Sequence, residues 1–313
     1  MKIRQPRVLV LNGPNLNFLG RREPAIYGSV TLAEVSESLR RVAEHRGVIV
    51  DCRQSNSEAV LIDAAQEAMS EFDAVIVNAG GLSHSSVSLR DALAMIPVPV
   101  VEVHVTNIHA REEFRHHSYI SGVAKAVIVG AGTNGYLLAL EHVLSLVAAA
   151  PRDEPAIVPG APLASVLMLN GPNLNLLGLR EPDLYGHVSL AHIEERVSAE
   201  AVRLGLTVDF RQSNSESTLV DAVQEAMSAF DAVIINPAGL SFTSVALRDA
   251  LAMLSVPVTE LHITNVMARP AEYLHHSYVS SVATTVMMGA GTHGYELALR
   301  QVAHHAAERH GQR

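Results

Sequence analysis

A chain of 313 residues with 48% apolar and 18% charged side chains has material for packed cores and is not a disordered polymer. Its net charge of −9 provides no basic footprint, which argues against nucleic acid or an anionic membrane surface as a partner. Any anion site has to be built locally, because the overall charge does not steer an anion inward.

One cysteine, Cys52, rules out an intrachain disulfide, and its apolar neighbourhood reads as a buried, inert thiol. No signal peptide is visible: residues 1–7 are polar and the apolar run 8–11 is too short for a signal core. No stretch reaches the ~20 apolar residues of a membrane span. A cytoplasmic protein is the default expectation.

The chain states its text twice. The segment LNGPNLN occurs at 11–17 and 169–175, RQSNSE at 53–58 and 211–216, and LRDALAM at 89–95 and 247–253. The offset is 158 up to this point (173 − 15) and 159 at HHSY (275 − 116), so one residue is inserted between. A period this long marks domain duplication, not a solenoid.

In chain order, the first copy predicts strands at 7–11, 48–52, 73–78, 98–104 and 126–129. They alternate with helices at 31–46, 57–71, 85–95 and 135–148. Thr31 and Glu34 have capping-box spacing; Ser189 occupies the matching position without an acidic partner at 192. Near-continuous apolar strands alternating with helices imply a parallel sheet covered on both faces. The expectation is α/β: two flavodoxin-like doubly wound domains, each a five-stranded parallel sheet with helices on both faces. The domains are placed at 1–147 and 165–313, joined by a Pro/Ala-rich linker at 148–164.

Polar residues cluster where strands one, three and four end, which is where ligands bind in such sheets. After strand one come Asn12, Asn15 and Asn17, then a long loop carrying Arg22 and Tyr27, matched by Arg180 and Tyr185. Its length exceeds what a connection needs and suggests a lid. Strand three ends at Asn78 before His84, and strand four ends with Glu102, His104, Val105 and Thr106. A lone strand-end histidine is usually structural; three polar strand ends together, in duplicate, favour a site.

The segments NGPNLNFLGRREPAIYG, RQSNSE, NAGGLSHSSVSLRDAL, EVHVTNIHAREEFRHHSY and GAGTNGY resemble the type II 3-dehydroquinate dehydratases across nearly the whole of each half. The resemblance implies a metal-free, cofactor-free lyase that makes 3-dehydroshikimate, with a subunit of flavodoxin-like fold. It also implies an assembly of twelve domains, here supplied by six chains of a homo-oligomer. For the first copy it implies Tyr27 as general base, Arg22 favouring its phenolate, Asn15 holding a water at the enolate oxygen, and His104 as general acid. It implies that Asn78, His84 and Arg115 hold the substrate, that the Val105 and Thr106 backbone takes its carboxylate, and that Glu102 orients His104. Asp91 resembles an aspartate that the family inserts into a neighbouring subunit's site.

The chemistry is physically coherent. Tyrosine, with a pKa of ~10, is a poor base at neutral pH. An arginine at ~4 Å contributes ~4 kcal/mol at an effective dielectric of ~20, before desolvation is subtracted. The only lysines are Lys2 and Lys125, neither at a strand's C-terminal end, which disfavours a Schiff base. GxGxxG at 130–135 lacks the downstream acidic residue of a dinucleotide site and reads as a tight turn into the last helix. Adjacent His116 and His117 diverge, so a metal site is not expected.

The second copy retains Asn173, Arg180, Tyr185, Asn236, Asp249, Glu260, His262, Ile263 and Thr264. It has Phe242 where the first has His84. Arg115 meets Tyr273 counted from the front and Leu274 counted from the back. An unpaired buried polar contact costs ~1–3 kcal/mol, so the second copy is expected to be impaired, structural, or altered in ligand. The competing expectation for the whole chain is a non-catalytic binding or regulatory protein for a cyclic hydroxy acid.

Overall fold

The computed structural model describes residues 4–23, 28–147, 163–179 and 181–311. The chain forms two compact units, Met1–Glu154 and Pro155–Arg313.

In the first unit, β1 (Arg7–Asn12) is followed by α1 (Leu32–His45), β2 (Ile49–Gln54), α2 (Glu58–Glu71) and β3 (Ala74–Asn78). Then come α3 (Val87–Ala94), β4 (Val100–His104), β5 (Ala126–Val129) and α4 (Asn134–Val147). The strands are parallel, in the order β2-β1-β3-β4-β5. That is the flavodoxin-like doubly wound order, with its switch point between β1 and β3. β3, β4 and β5 are buried along their whole length, as strands covered by helices on both faces are, and polar residues enter them only toward the C-terminal ends of β3 and β4.

The second unit repeats this plan. β6 (Ala164–Asn170), α5 (Leu190–Leu204), β7 (Leu206–Gln212), α6 (Glu216–Ala229) and β8 (Ala232–Asn236) precede α7 (Val245–Ala252). β9 (Val258–His262), β10 (Thr285–Met288) and α8 (Gly294–Gly311) complete it. Its strands lie in the order β7-β6-β8-β9-β10. A helical turn, Pro182–Tyr185, sits in the segment between β6 and α5. Most of the expected linker, residues 148–162, lies outside the described residues.

Local chemistry trims the predicted elements. Thr31 caps α1 instead of starting it: Glu34 N–H donates to the Thr31 hydroxyl, and Thr31 N–H donates to the Glu34 carboxylate at 2.7 Å. Val35, Leu39 and Ala43 then bury one stripe of that helix. Helix α3 begins two residues later than expected because Ser86 accepts from Leu89 N–H. Strand β2 runs two residues further than expected, since Arg53 and Gln54 stay in register with Leu11 and Asn12. Cys52 on this strand is half-buried, not fully buried, and desolvation pushes its thiol up. Gly135 opens the last helix because a Cβ there would stand 3.2 Å from Val103 Cγ1. Among the described residues, no helix is long and apolar enough to cross a membrane.

Candidate active site

The ends of β1, β3 and β4 meet at a cavity of about 270 Å³ in the first unit. Gly13 permits this convergence: its N–H donates to Asn78 O at 2.8 Å, and a Cβ would collide with the carbonyl of Ala79. Asn15 follows in the left-handed region, φ 67°, its backbone N–H tied to Asn56 Oδ1. The cavity wall brings together Asn15, Arg22, Asn78, His84, His104, Val105, Thr106 and Arg115. Tyr27 lies outside the described residues.

A buried triad fixes the floor. Tyr136 Oη donates to Asn12 Oδ1 at 2.6 Å and accepts from Asn78 Nδ2 at 2.9 Å, while Asn78 Oδ1 accepts from Gly80 N–H. The orientation of the Asn78 amide is thereby set, with one Nδ2 proton left over.

His104 is held from behind. Its Nε2 is 2.8 Å from Glu102 Oε1, and Glu102 is fully buried. Burial opposes ionisation of Glu102, but His104 and the hydroxyls of Ser118 and Ser121 outweigh it and hold the carboxyl below its usual range. A carboxylate accepts, so Nε2 carries a proton and Nδ1 is the ring nitrogen left for the cavity. His84 stacks on His104 with ring centroids 5.9 Å apart. Its Nδ1 is 2.9 Å from the His117 carbonyl, which makes Nδ1 the N–H and leaves Nε2 an acceptor. Desolvation lowers the His84 pKa and favours that neutral form.

The arginines are tied to acidic and hydroxyl neighbours, and Arg111 and Arg115 share the Glu112 carboxylate. Arg22 pairs with Glu23 at 3.0 Å, Arg115 pairs with Glu112 at 3.0 Å, and Arg111 donates to Thr106 Oγ1 at 3.3 Å. Asp91 does not line the cavity; it is exposed on α3 and paired with Arg90.

The second unit builds a matching cavity of about 360 Å³. His262 Nε2 is 2.9 Å from buried Glu260, which accepts from Ser277 and Ser280. Tyr295 joins Asn170 and Asn236 as Tyr136 does in the first unit. Asn173, Ile263 and Thr264 line the wall, and Asp249 is again exposed and paired with its neighbouring arginine. Arg180 lies outside the described residues.

Tyr185 is described, and its oxygen accepts from Arg269 Nη2 at 2.9 Å. The same nitrogen donates to Thr264 Oγ1 at 2.9 Å, and the guanidinium carbon lies 5.4 Å from the tyrosine ring centre. Arg269 corresponds to Arg111. Sequence reasoning did not single out this pair; the available signal was an arginine five residues beyond the strand-end threonine in both copies.

The walls diverge opposite the tyrosine. Phe242 takes the place of His84 and stacks on His262 with centroids 6.1 Å apart. His116 reaches back to Arg111 O, and His275 reaches back to Arg269 O in the same way. The inserted residue therefore precedes them: Phe114 matches Tyr273, and Arg115 matches Leu274. Where Gly80 has φ 58°, the second unit holds Ala238 at φ 52°.

Two doubly wound α/β units, each with a histidine–glutamate pair in a cavity at its strand ends, define a flavodoxin-like protein equipped for acid–base chemistry. The chain belongs to the dehydroquinase class II family, whose model matches residues 6–144 and again 164–303. It is 57% identical over 138 residues to the 3-dehydroquinate dehydratase of Herminiimonas arsenicoxydans, covering 44% of this chain and 95% of that protein. It is 53% identical over 139 residues to a catabolic 3-dehydroquinase 2 of Aspergillus flavus, covering 44% and 93%. A type II dehydroquinase structure from Propionibacterium acnes aligns at 40% identity and a TM-score of 0.44, covering 45% of this chain and 99% of that one.

Proposed function

We propose that the chain is a 3-dehydroquinate dehydratase in which the first unit is catalytic and the second is impaired toward that substrate. The carrying observation is the His104–Glu102 pair, held by Ser118 and Ser121 at the cavity of a chain in this family. Tyr27, as phenolate, removes a proton alpha to the ketone, and the electron pair moves onto the ketone oxygen. A water on Asn15 stabilises that enolate. Collapse of the enolate expels the β-hydroxyl, which takes the Nδ1 proton of a doubly protonated His104 and leaves as water, giving the conjugated 3-dehydroshikimate; the proton taken by Tyr27 then returns to His104 through solvent. Arg22 and Arg111 supply the positive charge that favours the phenolate, by analogy with Arg269 on Tyr185. Asn78, His84 and Arg115 hold the hydroxyls, and the backbone at Val105 and Thr106 takes the carboxylate.

The second unit retains the tyrosine, histidine and glutamate but presents Phe242 and Leu274 where hydroxyls need partners. We assign the assembly as six chains supplying twelve units, with Asp91 and Asp249 exposed for a neighbour. The test is enone absorbance on addition of 3-dehydroquinate to the full chain. Folded protein with no enone signal rejects the proposal.

A further inference from the structure

We propose that the second cavity is a retained ligand site for a flat, weakly hydroxylated ring bearing one carboxylate. The assignment rests on reading the first cavity as the dehydratase site, because the contrast between the two defines it. Substitution of the polar grip has not filled the second cavity, which stands at about 360 Å³ against about 270 Å³ in the first. Such a volume admits a single six-membered ring with small substituents.

The lining indicates the charge of the occupant. Among the described residues of this wall, Arg269 is the only guanidinium, and there is no carboxylate. The first cavity has Arg22, Arg111 and Arg115. Arg269 spends one nitrogen on Tyr185 and Thr264, while its Nε is buried without a hydrogen-bond partner. That Nε is closed off from the cavity, so what Arg269 offers an occupant is the positive charge it brings to the wall, which favours an anion. A guanidinium with no competing carboxylate among the described lining residues suits an anion such as a carboxylate.

The opposite wall indicates the body of the occupant. Phe242 stacks on His262, and Tyr273 meets Phe242 edge-on, with centroids 6.2 Å apart and planes at 88°. Leu274 stands beside them in place of Arg115. A ring hydroxyl set against the Phe242 and Leu274 side chains loses its water and gains no partner from them, whereas an aromatic or unsaturated face gains stacking area.

The test is titration calorimetry of the full chain with 4-hydroxybenzoate and with quinate, repeated on Phe242→His and Arg269→Gln. Phe242→His installs the side chain that the first unit carries at this place in the same fold. The expected result is saturable 4-hydroxybenzoate binding that weakens at least about tenfold in each variant, roughly the scale of one aromatic or charged contact. Quinate binding is expected to tighten in Phe242→His. Absence of saturable 4-hydroxybenzoate binding, or binding unchanged in either variant, overturns the assignment. Enone formation by the wild-type chain, read in parallel, separates the two readings. Turnover without 4-hydroxybenzoate binding sinks this inference alone. Phe242-dependent binding without turnover supports it and removes the dehydratase reading of the first unit.

Discussion

At the scale of single residues, the two cavities pose a controlled comparison. Tyr27→Phe is expected to cut enone formation by ~10²–10⁴-fold, the usual span for loss of a general base, whereas Tyr185→Phe changes it less than about twofold. Equal losses from the two variants would refute the asymmetry. Arg111→Gln is expected to lower kcat by ~10²-fold with a smaller effect on KM, because its charge matters most to the phenolate and least to the bound ground state. An unchanged kcat would confine Arg111 to a structural role, through contacts such as those with Thr106 and Glu112. Glu102 and His104 were legible in the sequence because polar residues interrupt an apolar strand at its ligand-facing end. Arg111 was not. It lies in a short irregular stretch among other charged residues, and the contact that draws attention to it is made in the second unit, between Arg269 and a tyrosine 84 residues away in sequence.

At the scale of elements, strands and helices were read correctly in type and order, because period and β-branched content are local properties. Their ends were less legible, because caps and strand register are set by partners. Thr31 and Ser86 end up as caps, and Arg53 and Gln54 continue β2 only because β1 lies beside them. The divergence of the two units also reaches the start of the last helix. His293 occupies the place of Asn134, and burial lowers its pKa to about 4. The unfolded chain takes up that proton near pH 6.5, whereas the folded unit resists until about pH 4. Stability is therefore full above pH 6.5 and falls as pH drops toward 4, by up to ~1.4 kcal/mol per pH unit. Acid unfolding followed by calorimetry is expected to move to lower pH in His293→Asn. A variant that unfolds at the same pH as wild type contradicts this account.

At the scale of the whole molecule, the internal repeat made two units of one fold legible before any coordinates. It also showed which copy lost polar groups, with Phe242 for His84 and no arginine opposite Arg115, and left open only which residue, Tyr273 or Leu274, stands in the place of Arg115. The matching reach of His116 and His275 resolves it. Both units expose apolar side chains at equivalent places, Val87 and Met95 in one and Val245 and Met253 in the other. Such repeated patches suit burial between copies. Light scattering is expected to give the mass of six chains, and a stable monomer at micromolar concentration would exclude the twelve-unit assembly.

Ala238 shows what holds its turn in shape. A side chain held at φ 52° costs ~1 kcal/mol or more relative to glycine, and the first unit has glycine at this turn. Ala238→Gly is expected to raise the unfolding free energy by about 1 kcal/mol, measured by urea denaturation. The second unit thus carries a strain that one substitution removes, at the rim of a cavity whose loop path it has kept. The path of the turn is therefore set by the packing around it, and not by the residue that occupies it.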